Sequence, residues 1–160
     1  MRTFTFRRAR GREGQALAEM AFLLPVLLIL VFGIIEISSA WRTFSVLTNA
    51  TREGARSAVV PDATAERVKQ RVEETMISGR LVWSDDMLTM ECINAQTGAV
   101  IVADGVCTGM GRTGSVARIR VDYPYTFGFL APLARWACRG DCDDAFGAIN
   151  IANTSTMRNE

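Results

Sequence analysis

A block of arginines abuts an uncharged run, and this junction constrains the chain more than any other feature. Residues 1–14 carry Arg2, Arg7, Arg8, Arg10 and Arg12 against Glu13 alone, and Met20 to Ile35 then passes 16 residues without a charge. A basic segment leading into an apolar one is an export or membrane signal, to be read before any fold is argued. A clean span takes about 20 residues. Ala16, Leu17 and Ala18 bring the stretch into that range at the cost of including Glu19. Positive flanks stay cytoplasmic, so everything after Glu36 is expected on the far side of the membrane. The chain thus divides into a basic leader (1–14), a single transmembrane part (15–36) and an external domain (37–160).

Composition excludes much else. Across all 160 residues, 18 basic side chains meet 17 acidic ones, without the basic excess that a nucleic-acid binder needs. Apolar residues make up 49%, so the chain is no disordered tail. There is no histidine, and Lys69 is the single lysine. The commonest general base and metal ligand is therefore missing, and neither catalysis nor a cofactor is expected.

Three readings compete for the amino-terminal segment. In a signal peptide, Ser38-Ser39-Ala40 would supply the cleavage site and release a soluble, disulfide-bonded binding domain. In a plain anchor nothing is cut. The third reading turns on Gly14, which ends the leader, and Glu19, five residues beyond it in otherwise apolar helix. Gly14 followed by Gln15-Ala16-Leu17-Ala18-Glu19 resembles the processing site of type IV prepilins, which a membrane aspartyl peptidase cuts between the glycine and the next residue, here Gln15. Without that resemblance, Glu19 is an interfacial charge, costly only toward mid-membrane.

The stretch from Gly14 to Arg56 resembles the TadE-like family of pilus-assembly proteins. The matching features are GQALAE, Pro25, the Gly33–Glu36 pair ending the apolar run, and the block Asn49-Ala50-Thr51-Arg52-Glu53-Gly54-Ala55-Arg56. Met20 departs from the aromatic residue that commonly follows the glutamate. The resemblance implies a minor pseudopilin of a Tad (Flp, type IVc) pilus or secretion machine. Its partners would be a prepilin peptidase, other pilins and the inner-membrane assembly platform. The implied place is the bacterial inner membrane, with the external domain periplasmic or in the extracellular pilus.

The rest reads as an α+β, pilin-like domain. From Ala16 to about Val59 only Pro25 and two glycines interrupt a helix of roughly 66 Å, with a kink expected at Pro25. Trp41, Phe44, Leu47, Ala50, Gly54 and Ala58 form its expected packing stripe, the small residues meeting the protein's own domain. Pro61 ends the helix, and Asp62 or Thr64 caps a second, with Ala65, Val68, Val72 and Met76 inward and Gly79 at its end. Its charged face, Glu66, Lys69, Gln70, Glu73 and Glu74, reads as solvated surface. The period then changes to two, giving strands over Met87–Ile93, Ala99–Ala103, Ser115–Tyr123 and Ala148–Thr156, and a small antiparallel sheet.

Cys92, Cys107, Cys138 and Cys142 all follow the apolar run. Three connectivities are open, of which Cys92–Cys107 with Cys138–Cys142 is the most local. Zinc is the rival, but neither close pair has two-residue spacing and no histidine assists. Gly109 to Gly114 has the glycine pattern of a dinucleotide loop, yet Ser115 opens a strand rather than a helix. Asp141, Asp143 and Asp144 start like a calcium loop, but Ala152 stands where its glutamate belongs. Asn153-Thr154-Ser155 matches a glycosylation acceptor and carries no weight in a bacterial setting.

Overall fold

The computed structural model describes residues 11–103, 105–107, 114–129, 131–132 and 148–159. One helix, α1 (Gly11–Ala58), runs through Pro25 without a break and extends about 72 Å at 1.5 Å per residue. A second, α2 (Ala65–Ser78), starts at Thr64, whose side chain accepts from Arg67 N, and ends at Gly79. A single 3-10 turn (Asp85–Met87) leads into the sheet. The strands are β1 (Leu88–Asn94), β2 (Val100–Ala103), β3 (Ser115–Thr126) and β4 (Ala148–Arg158), all antiparallel in the order β2-β1-β3-β4. This is the α+β architecture expected, with β3 three residues longer than its alternation announced.

Both helices cover one face of the sheet. The core gathers Leu47, Ala50, Ala55 and Ala58 of α1, Val68, Val72 and Met76 of α2, and Ala117, Ile119 and Val121 of β3. The alternate residues of β3 line the wet face, where Arg118 pairs with Glu91 at 3.1 Å and Arg120 with Asp122 at 2.8 Å. Cys92 and Cys107 form a disulfide that ties the segment after β2 back to β1. Cys138 and Cys142 lie outside the described residues, as do Asp141, Asp143, Asp144 and Gly109 to Thr113. Lys69 holds Asp85 at 2.7 Å in solvent, in keeping with a solvated charged face on α2.

The packing stripe of α1 needs one correction. Trp41 is 70% exposed and Phe44 lies at the edge, whereas Thr43, Leu47, Ala50, Thr51, Gly54 and Ala58 are buried. At about 100° per residue the buried face centres on the line through Thr43, Leu47 and Gly54, and Trp41 falls well outside it. The small residues do meet the protein's own domain. A Cβ on Gly54 would stand 2.6 Å from Val72 Cγ2 and 3.2 Å from Ile119 Cγ2, so glycine sets how closely α1 approaches both α2 and β3. Gly54→Ala gains about 1 kcal/mol of helix propensity but overpacks a site pinned on two sides, at about 1–3 kcal/mol. A net loss is expected, larger for Gly54→Val, as a lower thermal midpoint of the detergent-solubilised chain; an unchanged or raised midpoint for Gly54→Ala would contradict this packing.

Candidate functional site

The long helix has two halves with opposite surroundings. From Gly14 to Ile35 most of its apolar side chains face outward, Phe22 to 82% and Leu17 to 72%, with Phe32 and Gly33 half-buried at the upper end. The helix is long and apolar enough to cross a membrane. Near its start Gln15 and Glu19 share a face, with Gln15 Nε2 donating to Glu19 Oε1 at 3.2 Å. A Cβ on Gly14 or on Gly33 would meet nothing within 4 Å. Among the described residues, packing places no demand for glycine at position 14.

The second half carries the domain, and the boundary is built around Glu36. Its side chain ends the apolar run yet is only 3% exposed. Gly128 N donates to Glu36 Oε1 at 2.7 Å and Phe129 N to Oε2 at 3.1 Å. The Tyr125 hydroxyl lies 3.3 Å from Oε1 and 3.4 Å from the Glu36 carbonyl oxygen. One turn below, Phe32 stacks on Phe129 with centroids 5.1 Å apart. An acceptor-only carboxylate thus satisfies three donors from one segment, the arrangement a buried charge requires. Burial, and then the adjacent Glu36 carboxylate, push the Tyr125 hydroxyl above the usual tyrosine value.

The extra length of β3 is what brings this segment to Glu36. Ile119 stands beside Gly54, and six further residues of strand reach about 20 Å down the helix to Tyr125. Between these points Thr51 Oγ1 donates to Asn153 Oδ1 at 2.9 Å, and Asn153 Nδ2 donates to Thr48 Oγ1 at 3.0 Å, binding β4 to α1. Arg42 Nη2 donates to the Gly79 carbonyl at 2.8 Å and closes the end of α2. None of these roles was read from the sequence. A signal did exist for Glu36, which lies on the downward extension of the buried face through Thr43 and Leu47.

Residues 14–56 match the family model of TadE-like proteins. The segment is TadE-like. The match covers the outward-facing span, the Glu36 boundary and the part of α1 that packs on the sheet, and it ends two residues before the helix does. No curated protein and no solved structure matches the chain. A TadE-like segment associates the chain with the Tad pilus system and with a membrane. Within it, Ala50, Thr51, Gly54 and Ala55 are buried, whereas Asn49, Arg52, Glu53 and Arg56 line an open groove between α1, α2 and β4.

Proposed function

We propose that this chain is a minor pseudopilin-like component of a Tad-type pilus or secretion machine, cut after Gly14 by a prepilin peptidase. One observation carries the reading: a TadE-like helix whose lower half is uncharged from Met20 to Ile35 and, among the described residues, largely uncovered, while its upper half is fixed into a folded domain. The role is physical rather than catalytic. The leader holds the precursor in the inner membrane until cleavage frees an amine on Gln15. Glu19, one turn on and on the same face, pairs with that amine or with a neighbouring subunit's, and so sets the axial register between subunits. The external domain then meets other pilins or the assembly platform.

Glu36 argues against release after Ala40. That cut would remove the carboxylate and leave the Gly128 and Phe129 amides and the Tyr125 hydroxyl without their acceptor. The mature mass discriminates the readings, since cleavage after Gly14, after Ala40 or nowhere gives three different proteins. Gly14→Leu puts a bulky side chain at the scissile position, and the variant is expected to accumulate as a precursor that retains residues 1–14. Wild-type protein recovered with Met1 intact from a strain with a working prepilin peptidase would sink the reading.

A further inference from the structure

We propose that the turn after β3, Phe127-Gly128-Phe129, is a second membrane contact, with the Phe129 ring seated in the acyl chains at the outer interface beside α1. The inference rests on α1 being a membrane span, and it goes beyond that reading by placing part of the external domain in lipid. Phe129 stacks on Phe32 at 5.1 Å and 18° between planes, and Phe32 belongs to the uncharged run Met20–Ile35. The ring therefore sits about 6 Å to the membrane side of Glu36, one helical turn down. At that level Val31, Ile34 and Ile35 are exposed, and Phe129 itself is 51% exposed. Lipid that reaches Phe32 reaches Phe129 as well.

The chemistry of the turn suits this placement. Tyr123 to Phe129 contains no charged side chain. Irregular backbone at membrane depth is tolerated only where its polar groups are satisfied within the protein. Here the amides of Gly128 and Phe129 both donate to the Glu36 carboxylate, and the Tyr125 hydroxyl is bound to the same group. These three donors are served by the chain rather than left to lipid, while the ring that water serves badly is left outward. Phe127 packs edge-on against Tyr125 at 5.6 Å, which holds the turn against the strand. Two points of contact, the span and the turn, would limit how far the domain can tilt away from the bilayer surface.

The test uses the full chain at low density in phosphatidylcholine vesicles, with Trp41, Trp83 and Trp136 changed to Phe and one tryptophan introduced at a time. Phe129→Trp reads the turn, Val31→Trp the span, and Val82→Trp an outward position on the domain. In lipid brominated near the interfacial end of its acyl chains, Phe129→Trp is expected to lose emission to the same extent as Val31→Trp does, while Val82→Trp keeps its own. Quenching of Phe129→Trp by aqueous iodide and not by bromolipid, with Val31→Trp still quenched by lipid, overturns the proposal and leaves the span standing. Protection from both quenchers means that a second copy of the chain covers the ring, which also overturns it. If Val31→Trp escapes the bromolipid, the span itself falls and the turn with it. Should the tryptophan replacements fail to fold, a lipid-borne diazirine applied to the unaltered chain gives the same decision. Labelling must then appear at Phe127 to Phe129 as well as in the span, and labelling in the span alone refutes the contact.

Discussion

Glu36→Ala is expected to release the segment from Tyr125 to Phe129 from α1 and to cost about 2–4 kcal/mol of stability. The figure follows from three donors losing one acceptor, discounted because Gly128 and Phe129 are exposed enough for water to replace part of the loss. For a chain of this size it corresponds to a fall in thermal midpoint of about 4–16 °C. Glu36→Gln should fall between, because it keeps one acceptor oxygen and turns an amide donor toward a second donor. The alkaline limb offers an independent reading. Tyr125 is held neutral by a raised titration point, so its contribution is complete below the ordinary tyrosine value of about 10 and is lost as pH rises through the raised folded value. Without the Glu36 carboxylate, Tyr125 should ionise at lower pH, visible as an earlier tyrosinate absorbance step. A Glu36→Ala protein with an unchanged midpoint would show that this contact does not hold the domain.

Glu19→Ala is expected to abolish assembly while leaving cleavage intact. In a plain anchor Glu19 is a liability near the apolar helix, and its loss would leave insertion unchanged or improved. In a pseudopilin the same change strips the new amine on Gln15 of its partner inside a helix bundle. Breaking a buried pair costs about 3–5 kcal/mol, a hundredfold or more in association. The scissile residues Gly14 and Gln15 are untouched, so the mature form should still lack residues 1–14, differing from the wild type only by the mass of the substitution, while pili or co-isolated pilins disappear. Glu19→Asp, one methylene shorter, should give an intermediate level. Wild-type assembly by the alanine variant would refute the role proposed for this glutamate.

The features legible in the sequence were those written in neighbouring residues. The alternation of Ala117, Ile119 and Val121 with Arg118, Arg120 and Asp122 predicts the strand and which of its faces is wet, as the structure has it. The small residues Ala50, Gly54 and Ala58 predict a close approach, and Gly54 makes one to Val72 and Ile119. Glu36 escaped because its partners lie 92 and 93 positions away and are backbone amides, which no residue type advertises. Asn153 was dismissed with its glycosylation pattern, although it ties β4 to Thr48 and Thr51. Trp41 misled in the opposite sense. A large aromatic draws an amphipathic stripe through itself, yet here it stands on the solvent side of the helix.

The unbroken passage of α1 from the span into the domain makes the helix a drive shaft. Above Pro25 the helix continues from the outward-facing half into the half locked by Glu36, Leu47 and Gly54, so a turn imposed on that part of the span is delivered above. Each residue of helix is about 100° of rotation and 1.5 Å of rise. The angular position of the external domain around the helix axis is thus dictated by whatever grips the apolar half. Neighbours that fix the lower helix would choose, from that distance, which side of the sheet faces outward.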